Sequence, residues 1–194
     1  MLRTTKLLIM LTFIATPAFS QQGINLPIQN ILQETPVWCW VAVSQQIILA
    51  RVGPQQTPAQ CALVAIANGA HPQACCGGYN PNCVKPGSIP QIQGLIQNFG
   101  MTYTSYAPPT TPDVLYHTLA SGKAVILQIH SGYTPQGAPH SAHVVVLRGM
   151  TFKQTPNGIE PILIINDPMA YYSQYVPYST IRPIWISAIV VKLF

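Results

Sequence analysis

Apolar positions recur with two different periods along this chain, and the period changes near its middle. From 38 to 50 (WCWVAVSQQIILA) they return with helical spacing, and Val52-Gly53-Pro54 closes the segment. Thr57-Pro58 then offers a cap and a first-turn proline for a second helix, running to about Asn68-Gly69. Ser88 can cap a third over 89–98, stopped by Gly100, and Thr111-Pro112-Asp113 opens a fourth reaching about Ala120, with Gly122 beyond it. A short strand is predicted over 101–106.

Beyond Gly122 the pattern is one of short runs rich in Val and Ile, bounded by Gly, Pro and Asn. The runs 124–130 (AVILQIH), 143–148 (HVVVLR), 161–166 (PILIIN) and 185–193 read as buried strands. Thr155-Pro156-Asn157-Gly158 reads as a hairpin turn between the second and third of them. Helices first and a mostly antiparallel sheet second make an α+β arrangement. Residues 21–36 read as polar and irregular, and no repeat or linker divides the chain. Residues 21–194 are therefore expected to form a single domain.

The first twenty residues stand apart. Arg3 and Lys6 precede an apolar run over 7–14, and Ala18-Phe19-Ser20 supplies small residues where a signal peptidase cuts. Residues 1–20 read as a secretory signal. The run is too short and too broken for a membrane span of about 20 residues, so no membrane association is expected once the signal is removed. Export, to a periplasm or beyond the cell, is the expected destination.

Composition narrows the chemistry. Charged residues make up 7% of the chain, and only four are acids: Glu34, Asp113, Glu160 and Asp167. A mechanism that needs a carboxylate must use one of these. The formal charge is +5; without Arg3 and Lys6 it is +3, seven basic residues against four acids. Those seven are scattered singly, so no nucleic-acid partner is indicated. No cofactor motif is present, and no His/Cys/Asp set has convincing metal-ligand spacing.

Five cysteines are an odd number for an exported protein. Four of them, Cys61, Cys75, Cys76 and Cys83, crowd into a stapled loop over 61–83. An oxidising compartment favours disulfides over zinc there. Adjacent Cys75 and Cys76 are poorly placed to bond to each other. The pairing is then 61–75 with 76–83, or 61–76 with 75–83.

Cys39 is left over, between two tryptophans, where Pro36 ends the irregular segment and a helix begins. A helix N-terminus stabilises a thiolate, and an adjacent imidazole would complete its activation. Of the five histidines, His71 lies in the cysteine loop, His117 on the fourth helix, His130 at a strand end and His140 in a Gly-Ala-Pro loop. His143 opens the strand HVVVLR. Asp167 ends the apolar run ILIIN, where an unpaired carboxylate would cost several kcal/mol. A hairpin joining the two strands sets the start of the first beside the end of the second, and so His143 beside Asp167. That is the geometry of a base and its orienting group. Asn166 should point to the opposite face. Gln33, six residues before Cys39, can donate to a developing oxyanion together with the Cys39 amide. Trp40 and Ala142, next to Cys39 and His143, are candidate substrate contacts.

Gln33, Cys39-Trp40 at a helix start, His143 opening a Val-rich strand and Asp167-Pro168 closing the next resemble the papain-like cysteine peptidases. The nearest likeness is to the bacterial C39-like peptidases and the effector proteases of plant pathogens, over about residues 28–170. The resemblance implies a helical half carrying Cys39 and a sheet half carrying His143 and Asp167, with the cleft between them. It implies Cys39 as nucleophile, His143 as base, Asp167 as orienter and Gln33 in the oxyanion hole, acting on a protein or peptide through a thioester. Val37-Trp38 stands where papain has Gly-Ser, and the loop 61–83 has no counterpart we can place in those families. Deamidation, transglutamination and cell-wall amide cleavage would use the same residues. A peptide-binding shell displaying Tyr171, Tyr172, Tyr175 and Tyr178 is the non-enzymatic alternative, and an activating or inhibitory protein partner is compatible with each.

Overall fold

The protein is described by a computed structural model covering residues 22–104, 111–130, 142–172 and 174–193. The proposed signal over 1–20, the end of the strand at Ser105-Tyr106, and His140 lie outside the described residues.

The helices come first, as expected. Helix α1 (Cys39–Val52) buries Trp40 to Ser44 and Gln46 to Ile48 and ends at Gly53, whose φ of 81° suits glycine. A helix apolar on nearly every side must be surrounded, and α1 is the central rod of the helical half. Helix α2 (Gln60–Ala67) starts later than predicted, with Ala59 at its cap. Thr57 does not cap it, because its hydroxyl turns back to donate to the Gly53 carbonyl at 2.7 Å and closes the loop after α1. Helix α3 (Ile89–Asn98) has the expected Ser88 cap, reinforced by a reciprocal bond from the Ser88 amide to the Gln91 side chain. Helix α4 (Pro112–Ala120) is capped by Thr111.

Among the described residues the sheet has seven antiparallel strands: β1 (Ile24–Asn25), β2 (Thr102–Thr104), β3 (Lys123–His130), β4 (Ala142–Thr155), β5 (Gly158–Asn166), β6 (Tyr175–Pro177) and β7 (Trp185–Lys192). Their order is β2-β7-β3-β4-β5-β6, with β1 paired to β4. A short helix, α5 (Tyr178–Ile181), precedes β7. The central runs are apolar throughout because both faces are covered. Ala124, Ile126, Val144, Val146, Ile189 and Val191 join the cluster built on α1, α2 and α3. Val125, Leu127, Ile129, Val145 and Leu147 join the opposite cluster with Leu115 and Leu119 of α4. Among the described residues, no helix is long and apolar enough to cross a membrane.

Strand β4 is much longer than its apolar run. It continues past Leu147 through a bulge at Arg148 to the hairpin at Thr155–Gly158. The segment before Cys39 is not wholly irregular either: Ile24 and Asn25 pair with Met150 and Gly149, and Ile28 is buried. Gly149 makes that pairing possible, since a Cβ there would lie 2.3 Å from the Ile24 carbonyl oxygen.

The cysteine loop adopts the second of the two open pairings, Cys61–Cys76 and Cys75–Cys83, leaving Cys39 as a free thiol. The bridges tie the start of α2 to a 3-10 turn at Pro72–Cys75 and to the chain leading into α3. That loop also packs against the start of α1: the Trp38 indole donates to the Cys83 carbonyl at 3.0 Å, and the Trp40 indole to the Lys85 carbonyl at 3.3 Å. Gly87 lies flat on the Trp40 ring, where a Cβ would come within 2.1 Å of a ring carbon. Gly87→Ala should therefore displace Trp40 and destabilise the protein by about 1–3 kcal/mol, read as a lowered urea midpoint with an unchanged m-value.

Candidate active site

Cys39 is the first residue of α1, half-buried, at the end where helix amides lack intrahelical acceptors and the dipole is positive. Its approach is a tight turn in which the Trp38 amide donates to the Thr35 carbonyl at 3.2 Å.

His143 and Asp167 meet as the hairpin register requires. Val146 faces Asn166 and Leu147 faces Ile165, so His143, Val145 and Leu147 share a face with Leu163, Ile165 and Asp167. His143 Nε2 lies 2.7 Å from Asp167 Oδ1, with both residues almost fully buried. Asp167 is also the organiser of its own turn. Its Oδ1 accepts from the Met169 amide at 2.9 Å, and its Oδ2 from the Tyr171 and Tyr172 amides at 2.9 and 3.0 Å. The residue is thus both the turn-former that Asn-Asp-Pro suggests and the partner of an imidazole.

The electrostatics follow from that placement. Burial disfavours charge on the His143 ring, but the Asp167 hydrogen bond and the interaction with the Cys39 sulfur outweigh it. They raise its pKa from 6.5 to about 9. Burial likewise pushes the Asp167 carboxyl upward, and the bonds from His143, Met169 and Tyr172 bring it below its ordinary value. With Nε2 occupied by Asp167, the side of the ring left for Cys39 is Nδ1, which has no hydrogen-bond partner among the described residues. His143 and Asp167, both singled out from the sequence, are brought together, and the Cys39 sulfur lies within electrostatic reach of the ring.

Gln33 lies on an extended strap joined to the Asp167 turn. Its amide donates to the Pro168 carbonyl at 3.0 Å and its side-chain Nε2 to the Thr35 carbonyl at 2.6 Å. An amide nitrogen carries two hydrogens, so one remains for a ligand. Leu32, Gln33, Thr35, Met169 and Tyr171 line a groove of about 440 Å³. Ala142 is exposed at the start of β4, beside His143.

Trp40 is the exception among the expected site residues. Its side chain is 3% exposed and committed to Gly87 and the Lys85 carbonyl. It cannot meet a substrate from the core, and its role is to seat α1. Asn166 faces away from His143, accepting from Arg148 Nε at 2.9 Å and donating to the Ile28 carbonyl at 2.9 Å. Of the other described histidines, His71 accepts from the Gln73 amide, while His117 and His130 are exposed.

Sequence reasoning missed the residues that hold the strap. Gln46 Nε2 donates to Asn30 Oδ1 at 3.1 Å and to the Ile31 carbonyl at 3.0 Å, and Asn30 donates to the Asp167 carbonyl at 3.3 Å. Gln60 bonds to Leu32 and Glu34. The available signal was a glutamine set inside an apolar helical run (SQQIILA, QCALVAIA), where a buried amide demands partners.

No curated protein sequence matches the chain. A provisionally assigned C39-like peptidase from Bacillus anthracis shares the fold, with a TM-score of 0.56 at 15% identity over 88% of this chain and 97% of that one. The SERA5 proenzyme from Plasmodium falciparum aligns with a TM-score of 0.45 at 12% identity, over 84% of this chain and 61% of that one. The profile of the Peptidase_C39 like family matches residues 23–188, and the chain belongs to that family, of papain-like fold.

Proposed function

We propose that this protein is an exported cysteine peptidase that hydrolyses peptide bonds through Cys39, His143 and Asp167. The observation that carries the reading is the ring of His143, buried and bound to Asp167 on one side while interacting with the Cys39 sulfur. Such a ring is stabilised as imidazolium, and an imidazolium beside a sulfur at a helix N-terminus favours the thiolate.

The thiolate attacks the scissile carbonyl carbon, and the carbonyl electron pair moves to oxygen. The second N–H of Gln33 Nε2 and the Cys39 amide hold that oxyanion. Collapse expels the amine, which takes the proton from His143, and leaves a thioester on Cys39. Water then attacks the thioester carbonyl, with its proton passing to neutral His143. The carboxylic acid departs and the Cys39–His143 pair is restored. Asp167 keeps the ring oriented throughout. Gln33 and Thr35 line the groove beside the Asp167 turn, where the peptide substrate would lie. The two disulfides support an oxidising compartment, in keeping with the signal read over 1–20.

Iodoacetamide should alkylate Cys39 in the unreduced protein. Cys39→Ala should abolish labelling and lower kcat on a peptide substrate by about 10⁴-fold or more. A Cys39 that resists alkylation in the folded protein would sink the assignment. Mass spectrometry of the products separates hydrolysis from deamidation or transfer.

The pH dependence has a defined sign. The raised pKa of His143 stabilises the fold fully below 6.5, and that contribution is lost as pH climbs through about 9. The lowered pKa of Asp167 stabilises the fold above its ordinary value of 3.8, and that contribution is lost as pH falls below it. Thermal stability should therefore peak between about pH 4 and 6.5, and kcat/KM should decline on the alkaline side near pH 9. Asp167→Asn should move that alkaline limb toward neutral pH. Asp167→Ala should destabilise the protein by about 3–5 kcal/mol by leaving His143 unpaired. A limb that stays put in Asp167→Asn would contradict the pairing.

A further inference from the structure

We infer that Gln60 is a positioning residue for the oxyanion donor: its side-chain amide clips the backbone on both sides of Gln33 and so fixes where the Gln33 amide points. The inference rests on the role proposed above for Gln33 and adds the part that holds it in place.

The geometry is specific. Gln60, the first residue of α2, is 1% exposed. Its Oε1 accepts from the Glu34 amide at 3.0 Å and its Nε2 donates to the Leu32 carbonyl at 2.8 Å. The carbonyl before a residue and the amide after it point to the same edge of an extended chain, the edge that a neighbouring strand would pair with. The Gln60 amide takes the place of that strand. The amide of Gln33 itself points to the other edge, where it donates to the Pro168 carbonyl at 3.0 Å. Residues 32–34 are thus bonded along both edges, to α2 on one side and to the Asp167 turn on the other.

The flanking side chains add little to this anchoring. The Leu32 side chain is 58% exposed and that of Glu34 is exposed as well. Their packing does little to define the backbone around Gln33. The clip itself is rigidly mounted, because the next residue, Cys61, is bridged to Cys76. An amide also suits the task chemically: it presents a donor group and an acceptor side by side in a plane, whereas a carboxylate lacks the donor and a thioether has no donor and only a weak acceptor.

Oxyanion donors act only within a narrow distance range, and a misplacement of about 1 Å costs about 100-fold in rate. Loss of the clip should therefore act on kcat and spare steps that form no oxyanion. In Gln60→Met, which keeps the length and volume of the side chain, kcat on a peptide substrate should fall by about 10–100-fold with KM changed by less than about threefold. The rate of Cys39 alkylation by iodoacetamide should stay as in the wild type, because alkylation passes through no oxyanion. In the Gln33→Ala background, Gln60→Met should lower kcat little further, since the residue it positions is already gone.

Gln60→Glu supplies a second variant should the first fail to fold. It keeps the acceptor for Glu34 and, when protonated, regains a donor for Leu32, so its kcat relative to wild type should improve as pH is lowered. Two results would overturn the inference: equal kcat losses from Gln60→Met in the wild-type and Gln33→Ala backgrounds, or Cys39 alkylation slowed in parallel with kcat. If Gln33→Ala itself leaves kcat unchanged, the oxyanion assignment falls and the clip falls with it. A large Gln33→Ala effect with an additive Gln60→Met removes the clip alone.

Discussion

An imidazole taken out of water resists protonation, and a carboxylate taken out of water resists ionisation. His143 and Asp167 are both almost fully buried, yet each is held in its charged form by the other and by bonds that neither could make in solvent. The site depends on that mutual compensation, and much of the architecture serves it. The β4–β5 hairpin supplies the register, the turn after Asp167 supplies three amide donors, and α1 opens with Cys39, whose sulfur acts on the charge of the ring. Breaking the pair would strand a charge in the interior, a larger loss than the pair's own net contribution to stability.

Much of this is legible in the sequence. The change from helical to strand periodicity near Gly122 located the two halves. The rarity of acids, four in the chain, made Asp167 stand out at the end of an apolar strand. The odd cysteine isolated Cys39. What escaped notice had physical reasons. Strands β1 and β6 are two and three residues long, too short for a period to show. The long exposed arm of β4 carries Lys153 and Gln154, so its hydrophobicity fades well before its pairing does. Trp40 is adjacent in sequence to the nucleophile, but a helix turns neighbouring residues about 100° apart, and its ring fell into the core. Thr57 could have capped a helix and instead closed the loop behind it.

The least legible feature was the role of glutamine. In a chain this poor in charge, the interior is cross-braced by neutral amides. Gln46 and Gln60, both buried, reach across from two helices to the same strap and satisfy its backbone. Amide braces do not titrate, so these two contacts to the strap do not change with pH, whereas the charge of the His143–Asp167 pair does. Support and switchable chemistry are thus assigned to different kinds of side chain.

The cystines add a constraint of another sort. Under the proposed mechanism the sulfur at the start of α1 has to remain a thiol, whereas the four sulfurs of the neighbouring loop, one of them in the residue adjoining Gln60, have to remain bridged. An environment oxidising enough to cap the first would then poison the peptidase, and one reducing enough to open the others would loosen its scaffold. So read, the molecule would work only within an interval of redox potential with a wall on either side, and a dithiol added to protect the one sulfur would endanger the other four.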